Sequence, residues 1–302
     1  MERVLLVTAR ASAGLDDDMP LLVDALSAEG TPTDVVSWDD PDIDWADSSL
    51  VMVRSTWDYT TRRDEFLDWA RRVGSVARLE HPAGVLAWNT DKRYLAELPA
   101  LGIGIVPSTF FDPGQEVVLP DEGQFVVKPS VSAGSRDTAR FSAGDGVAAR
   151  SLCEEIHRSG RTVLVQPYVT TVDAHGETAM LYFGGEFSHS IRKGPLLALD
   201  AAPSRALFAA EAITAHRPSP DERRAGAAVI RALGSLPLVG ESLHPPLYAR
   251  VDLVTDEAGA PLVLELEMCE PSVFLAFDPG AATRLARVIT SRAVLRRAGS
   301  GT

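Results

Sequence analysis

Short apolar runs and amphipathic segments alternate along the first part of the chain. The runs "RVLLVTA", "TDVVSW" and "SLVMVRS" have the length and composition of buried strands. The segments "MPLLVDALSAEG" and "RRDEFLDWARRVG" instead space their apolar residues as helices do, and Pro20 and Gly30 mark the two ends of the first. Because alternating strands and helices are typical of a doubly wound parallel sheet, we predict an α/β domain over residues 1–88.

The pattern changes beyond this region. A helix is predicted from about Thr90, and the runs "GIVPSTF", "GQFVVKPS" and "DTARFS" predict strands around a turn rich in Gly and Ser. A helix containing Cys153 and the strand "TVLVQPYV" follow. We assign these elements to a second, α+β unit over residues 89–168.

The rest of the chain, residues 169–302, contains two predicted hairpins. The first is "ETAMLYFGGEFSHSIRK", with Gly184 and Gly185 at its turn. An Ala- and Pro-rich stretch without periodicity follows, and then come a helix "DERRAGAAVIRAL", the second hairpin "LYARVDLVTDEAGAPLVLELEM" and a helix after Pro279.

The second hairpin carries charged residues on a pattern that otherwise predicts buried strands. If Asp252 faces Glu265 across the antiparallel pair, Arg250 faces Glu267, and all four side chains lie on one face of the sheet. The opposite face of the same pairing carries four apolar side chains: Val251, Leu253, Leu264 and Leu266. One register therefore predicts an ionic face and an apolar face.

Three carboxylates brought together on one face raise each other's energy unless a cation is present. Hard oxygen ligands at this density suit Mg²⁺, which takes a few carboxylates and completes its shell with water and phosphate oxygens. Asp252, Glu265 and Glu267 are therefore candidate metal ligands. The alternative is a solvent-exposed sheet face on which Arg250 serves as a partial counterion.

A magnesium site shared with phosphates also requires cationic side chains and a flexible cover. Lys128 ends an apolar strand, and the run "SVSAGSRDT" after it has small residues whose N–H groups suit phosphate oxygens. Lys92 and Lys193 are further candidates, although a single exposed lysine is unremarkable by itself.

Composition narrows the class of protein. The 302 residues are 45% apolar and 24% charged, as in ordinary globular proteins, and the net charge of −13 argues against nucleic-acid partners. No apolar run has membrane length and no signal peptide is recognised, so we expect a cytoplasmic protein without membrane partners. Cys153 and Cys269 are expected to be reduced, buried thiols, and no arrangement of His and Asn points to a catalytic Cys269.

In order, "NTDK", "FVVKPS", "SAGSRDT", "VQPYV", "GE", "ARVDLV" and "LELE" resemble the motifs of the ATP-grasp superfamily, over roughly residues 85 to 275. The resemblance implies an N-terminal α/β domain followed by two α+β subdomains, 89–168 and 169–302, which grip ATP between them. It also implies ATP and Mg²⁺ as cofactors.

The same resemblance implies roles for individual residues. The implied nucleotide-binding group comprises Lys92, Lys128, the loop from Ser132 to Arg136 with Gly134 and Ser135, the adenine hinge Gln166, Pro167, Tyr168 and Val169, and Asp173 or Glu177 at the ribose. The implied metal ligands are Asp252, Glu265 and Glu267, and the implied catalytic cations are Arg250, Lys128 and Lys193. Glu267 departs from the superfamily's pattern, which usually has Asn at this position.

Two segments outside these motifs are candidates for substrate recognition. "RSTWDY" follows a strand of the first domain, so Arg54 could pair with a carboxylate, and four further side chains could donate or accept hydrogen bonds beside a wall formed by Trp57: Ser55, Thr56, Asp58 and Tyr59. The alternative is a helix-entry loop with Trp57 packed inside. Glu270 and Ser272, after the second hairpin, are placed beside the reacting carboxylate, where Glu270 could bind an amino group.

The resemblance to the ATP-grasp superfamily implies phosphoryl transfer from ATP to the carboxylate of a small amino-acid-like substrate, giving an acyl phosphate that a nitrogen nucleophile attacks. The segments "RSTWDY", "SHSIRKGP" and "ELEMCEPS" further resemble those of ATP-grasp cyclo-ligases, which close O-ureido-D-serine into an antibiotic ring. A ligase that joins two separate substrates, as dipeptide ligases or glutathione synthetases do, remains an alternative, as does a non-catalytic ATP-binding regulatory protein. A homo-oligomer is possible, but no sequence pattern identifies an interface.

Overall fold

The computed structural model describes residues 3–199, 212–236 and 245–294. The first of its three sheets is parallel, with strand order β2-β1-β3-β4. Its strands are β1 (Val4–Thr8), β2 (Thr33–Ser37), β3 (Leu50–Ser55) and β4 (Leu79–Glu80). Helices α1 (Asp18–Ala28) and α2 (Arg63–Val76) cover opposite faces, because Leu22 packs with one set of strand side chains and Phe66 with the other. The predicted alternation of strands and helices is confirmed.

The helix predicted from about Thr90 is wrong. Helix α3 (Ala83–Asn89) ends just before this position, and Thr90 is its C-terminal cap. A short 3₁₀ helix, Lys92–Ala96, then begins after Asp91, whose carboxylate accepts a hydrogen bond from the N–H of Arg93 at 3.1 Å. The Asp91 cap starts a separate helical turn, so Lys92 lies at the junction between the two helices.

The second sheet is antiparallel, with strand order β5-β8-β6-β7. Its strands are β5 (Thr109–Phe111), β6 (Gln124–Pro129), β7 (Ala139–Ser142) and β8 (Val163–Pro167). Helix α4 (Gly146–Arg158) packs on this sheet, where Cys153 is buried as a free thiol. Burial raises the pKa of the Cys153 thiol to about 11, so it stays protonated at neutral pH.

The third sheet is also antiparallel, with strand order β11-β10-β9-β12-β13. Its strands are β9 (Glu177–Phe183), β10 (Glu186–Lys193), β11 (Ile213–Ala215), β12 (Tyr248–Thr255) and β13 (Pro261–Glu267). Its helices are α5 (Val172–His175), α6 (Pro220–Leu233) and α7 (Ala281–Val294). The predicted glycine turn is confirmed, since Gly184 and Gly185 have φ angles of 60° and 84°.

Strand β11 lies in the Ala- and Pro-rich stretch for which no element was predicted, and residues 200–211 of that stretch are outside the described residues. On the buried side of the third sheet, Val229 and Leu233 of α6 pack against Val251 and Leu266. No helix within the described ranges is long and apolar enough to cross a membrane.

The predicted register of the second hairpin is confirmed: Arg250 pairs with Glu267 and Asp252 with Glu265. One detail of the prediction is wrong. The register shifts directly after the Asp252 pair, so that Leu253 pairs with Val263 and Leu264 is an extra residue.

This β-bulge changes the direction of Leu264. Val263 and Leu266 are buried in the core, whereas Leu264 and Glu265, although adjacent, both line the opposite, cavity side. Leu264 therefore does not share the core face with Leu266, as strict alternation had predicted.

Candidate active site

A cavity of about 420 Å³ lies where the three sheets meet. Most of the residues proposed from sequence line it: Lys92, Lys128, Ser132, Gly134, Ser135, Gln166, Pro167, Tyr168, Val169, Glu177, Lys193, Arg250, Asp252, Glu265, Glu267, Glu270 and Ser272. Trp57 and Tyr59 of the first sheet's loop line it as well. The structure thus brings together side chains from all three parts of the chain.

One wall of the cavity is ionic and is built around β12 and β13. Asp252 accepts hydrogen bonds from Arg250 Nε at 2.8 Å and from Lys193 Nζ at 2.7 Å. Arg250 also pairs with Glu267, directly opposite in the ladder. Glu265 pairs with Lys92, whose Nζ lies 3.0 Å from Oε1. Each carboxylate of this wall is therefore neutralised by a cation of the protein.

The buried charges shift the pKa values of this wall in two directions. Burial raises the pKa of Asp252 and of Glu265, but the neighbouring cations outweigh burial and lower both values overall. Glu267 differs, because burial together with the charges of Glu265 and Asp252 outweighs Arg250 and raises its pKa to about 8.

The donor set fits a hard divalent cation. Asp252, Glu265 and Glu267 offer only oxygen atoms from one sheet face. Within the described ranges, no three carboxylate, imidazole or thiol groups are arranged to enclose a metal on their own. Such an arrangement suits Mg²⁺, which takes part of its shell from phosphate and water.

The third lysine of the cavity, Lys128, comes from the second sheet. Lys128 is buried at the end of β6; burial lowers the pKa of its ammonium group, the charge of Glu265 opposes this shift and Lys92 adds to it. Lys92 also donates to the carbonyl oxygen of Ser132 at 2.9 Å, so it holds the first residue of the small-residue loop. Gly134 and Ser135 in that loop both have positive φ angles, 62° and 60°, and face the cavity.

The other end of the cavity is apolar. Its walls are formed by Val126, Val172, Val254, Leu264, and the hinge residues from Pro167 to Val169. Because Leu264 and Glu265 are neighbours on the bulged strand, the apolar and ionic walls meet at one point. The cavity can hold a molecule with an apolar ring at one end and several negative charges at the other.

Asp173 does not line the cavity, whereas Glu177 does. Both oxygens of Asp173 accept from Arg140, at 2.8 Å each, and the hydroxyl of Tyr168 donates to it at 2.6 Å. The guanidinium of Arg140 also lies 3.5 Å from the ring centroid of Tyr168. Asp173 therefore supports the hinge from behind, through Arg140 and Tyr168.

The structure does not bring Arg54, Ser55, Thr56 or Asp58 to the cavity. Arg54 is 1% exposed and forms ion pairs with Asp16 at 3.4 Å and Asp18 at 3.8 Å. Ser55 and Thr56 are buried, and Asp58 accepts from the indole of Trp38 at 2.9 Å. Of this segment, only Trp57 and Tyr59 reach the cavity.

Glu270 and Ser272 do reach the cavity, beside these two aromatic residues. The Glu270 carboxyl is hydrogen-bonded by Cys269 and by Tyr59, and its burial raises its pKa. Burial also raises the pKa of the Cys269 thiol, so Cys269 is not an activated nucleophile. This agrees with the expectation from sequence.

Sequence reasoning missed several residues of the site. Asn89 lines the cavity and supports β13, donating to the carbonyl of Leu266 at 2.8 Å and accepting from the N–H of Met268 at 2.6 Å. Asp17 and Phe274 also line the cavity. Asn89 is the first residue of the motif "NTDK", from which only Lys92 was assigned a role. No local pattern marks Asp17 or Phe274.

One signal for the site was available in the composition. The chain has only three lysines, Lys92, Lys128 and Lys193, and all three line the cavity. Elsewhere in the sequence, the permanently charged basic residues are all arginines. A lysine provides a compact, mobile point charge, whereas arginine provides a planar fork. Their restriction to one place indicates a site that needs compact ammonium groups.

Comparisons with known proteins agree with this geometry. A family model described as "D-cycloserine synthetase DcsG, N-terminal domain" matches residues 4–81. The chain is 36% identical over 303 residues to the cycloserine biosynthesis protein DcsG of Streptomyces lavendulae, covering 95% of this chain and 97% of that protein.

Solved structures agree as well. The crystal structure of D-cycloserine synthetase DcsG superposes with a TM-score of 0.86 at 34% identity, covering 96% of this chain and 99% of the other. The D-alanine–D-alanine ligase of Bacillus anthracis complexed with ATP gives a TM-score of 0.63 at 14% identity, with both chains fully covered, which indicates a shared fold. The chain therefore belongs to the D-cycloserine synthetase family of ATP-grasp ligases.

Proposed function

We propose that this protein uses ATP and Mg²⁺ to close O-ureido-D-serine into D-cycloserine. The substrate carboxylate attacks the γ-phosphorus of ATP and releases ADP. The ureido nitrogen of the same molecule then attacks the acyl carbon and loses its proton, and phosphate leaves. Water hydrolyses the carbamoyl group from the ring nitrogen, which releases it as carbon dioxide and ammonia. The observation that carries the proposal is the junction of an apolar and an ionic wall in one cavity, in a chain that belongs to this family.

The apolar end fits adenine. Pro167, Tyr168 and Val169 offer backbone groups and apolar contact, and Leu264 faces them from β13. Glu177 is the carboxylate that reaches this part of the cavity, so we assign the ribose to Glu177. Asp173 supports Tyr168 instead.

The ionic end fits the phosphates. Lys92 and Lys128 supply positive charge from two sides, and the loop with Gly134 and Ser135 supplies backbone N–H groups above them. Arg250 and Lys193 flank Asp252 and neutralise charge on the transferring phosphoryl group. Phosphoryl transfer needs positioning and neutralisation more than a covalent protein group, and this wall provides both.

Mg²⁺ would be held by Asp252, Glu265 and Glu267. When bound, it would supply positive charge that offsets the negative charge of the phosphates. The protein's own contribution is to keep Asp252 and Glu265 ionised through their cations, which lower the pKa of both groups. Asn, which the superfamily usually has at the position of Glu267, is uncharged. The pKa of Glu267 is raised to about 8, so Glu267 would add a negative charge to the site when a bound cation displaces its proton.

The amino-acid substrate would lie between Trp57, Tyr59 and residues 270–274. Glu270 is close to Tyr59 and can accept hydrogen bonds from the substrate's amino group. Trp57 and Phe274 close this side of the cavity with apolar surface, which excludes water from the acyl phosphate.

The test is ADP release from ATP with Mg²⁺ and O-ureido-D-serine as the sole organic substrate, with the product identified by mass. We expect ADP and a cyclised product in equal amounts, and neither when Mg²⁺ is omitted. ADP release that requires a second amino acid would contradict cyclisation and identify a two-substrate ligase. Magnesium-dependent ATP binding without any turnover would support a regulatory protein.

A further inference from the structure

The segment that carries Glu270, Ser272 and Phe274 is held in an unusual way. We call residues 270–275 the substrate strip. The strip belongs to no strand, yet each of its first five carbonyl oxygens contacts a side-chain nitrogen from elsewhere in the chain. These contacts are Trp57 Nε1 to Glu270 O at 3.2 Å, Arg54 Nη1 to Pro271 O at 3.1 Å, Arg250 Nη1 to Ser272 O at 3.3 Å, and His189 Nε2 to Val273 O at 3.0 Å and Phe274 O at 3.2 Å.

Three N–H groups of the strip are held by a single carboxylate. Asp18 accepts hydrogen bonds from Val273 at 2.7 Å, from Phe274 at 3.0 Å and from Leu275 at 2.6 Å. Asp18 is 6% exposed and begins helix α1, far from the strip in sequence. Three hydrogen bonds to one buried carboxylate are charge-assisted and therefore strong.

Arg54 completes this contact from the neighbouring strand β3. Its Nη2 lies 3.8 Å from Asp18 and 3.4 Å from Asp16, while its Nη1 donates to Pro271 O. The cation thus neutralises the carboxylate that holds the strip and also holds the strip directly. A buried charge requires such a partner.

The strip needs this support because of its own conformation. Phe274 has a φ angle of 51°, a left-handed value that a non-glycine residue keeps only when its surroundings hold it. Side chains alternate along the strip, so Glu270, Ser272 and Phe274 line the cavity while Val273 is buried on the other side.

We propose that Asp18 and Arg54 are positioning residues for the amino-acid substrate: from the first sheet they fix the strip that presents Glu270 and Ser272. This inference rests on the function proposed above. It also gives Arg54 a role other than the one predicted from sequence, because its Nη1 and Nη2 donate to protein oxygens and the residue does not line the cavity. The ATP-facing walls contain neither residue.

Because Asp18 and Arg54 support the substrate strip but not the ATP-facing walls, their substitution should change the KM for the amino-acid substrate and not the KM for ATP. In Asp18→Ala, the KM for O-ureido-D-serine should rise at least about tenfold, because misplacement of binding groups weakens substrate positioning. The KM for ATP should stay within about twofold, since its walls are built by other elements. Asp18→Asn keeps one acceptor oxygen and should lie between wild type and Asp18→Ala.

The matched control is Asp24→Asn, which removes a carboxylate from an exposed position of the same helix. It should behave as wild type. If Asp18→Ala is poorly folded, Arg54→Lys tests the same contact, since lysine keeps the charge but lacks the fork that reaches both Pro271 and Asp16. Arg54→Lys should also raise the KM for the amino acid and leave the KM for ATP unchanged.

A second readout does not depend on the substrate. Hydrogen exchange, read by mass spectrometry on the peptide that contains residues 270–277, should become at least about tenfold faster in Asp18→Asn without nucleotide or substrate. Unchanged exchange there would overturn the proposal, and so would an equal rise in the KM for ATP and for the amino acid. If exchange is faster in Asp18→Asn but the wild-type protein does not turn over O-ureido-D-serine, Asp18 supports the strip and the proposed substrate is wrong.

Discussion

The ammonium group of Lys92 and the carboxylate of Glu265 form a buried ion pair with 3.0 Å between Nζ and Oε1. The pair joins the short helix after α3 to strand β13, so it connects two of the elements that close the cavity. Removing one member leaves the other as a buried charge with less compensation. This relationship makes Glu265 the most direct test of the ionic wall.

We expect Glu265→Gln to lower the rate of ADP release at least about 100-fold, because it removes a negative charge from the proposed metal site. Glutamine has nearly the same shape and still accepts a hydrogen bond from Lys92, so the far-ultraviolet circular dichroism spectrum should not change. The control is Glu257→Gln, at the exposed turn of the same hairpin. Normal ADP release by Glu265→Gln would remove Glu265 from the metal site.

Lysine modification should report on ATP binding alone, because all three lysines line the cavity. Treatment with acetic anhydride should inactivate the enzyme, and saturating ATP with Mg²⁺ should slow inactivation at least about tenfold. Mass spectrometry of the peptides with Lys92, Lys128 and Lys193 identifies which residue is protected. Equal rates with and without ATP would contradict the placement of these lysines at the phosphates.

Arg140→Ala should raise the KM for ATP about tenfold, because Asp173 and Tyr168 lose the guanidinium that holds the hinge in place. The KM for the amino-acid substrate should not change. Arg158→Ala, at an exposed position in helix α4, is the matched control. A change in kcat without a change in the KM for ATP would argue against this role.

His81 should make stability depend on pH. Burial lowers the pKa of His81 to about 4, from an ordinary value near 6.5, so the folded protein keeps this ring neutral while the unfolded chain takes up a proton as pH falls. The free energy of unfolding is therefore independent of His81 above pH 6.5, and it falls by on the order of 3 kcal/mol as the pH decreases towards 4.

Urea unfolding of His81→Phe should therefore show a smaller loss of unfolding free energy than wild type between pH 7 and pH 4.5. His175→Gln, at an exposed position, should retain the wild-type slope. Parallel pH profiles for wild type and His81→Phe would show that another group dominates.

Much of the site was predictable from local pattern. That Arg250 and Asp252 share a face followed from parity, because side chains in a strand alternate. The pairing of Asp252 with Glu265 was an assumption, because the register shifts between this pair and the turn, and counting from the turn would place Asp252 opposite Leu264. Lys128 was predictable because a charged residue at the end of an apolar strand stands out.

The rest depends on contacts that no local pattern contains. Arg54 follows an apolar strand in the same way as Lys128, yet its partners Asp16 and Asp18 lie in another segment and turn it away from the cavity. Likewise, a change in direction at Asp91 depends on one capping hydrogen bond, while the periodicity of the flanking residues remains compatible with one helix.

The bulge in β13 has a consequence for comparing or redesigning sequences of this kind. Because Leu264 is an extra residue, the adjacent side chains of Leu264 and Glu265 lie on the same face of one strand, so that an apolar surface borders a charged one. Strict alternation would place them on opposite faces. An alignment or a designed strand that restores perfect alternation through residues 261–267 would bury Leu264 or expose Leu266. The boundary between the apolar and the ionic wall would then shift by one residue. Adenine could no longer contact the apolar wall while its phosphates contact the ionic wall.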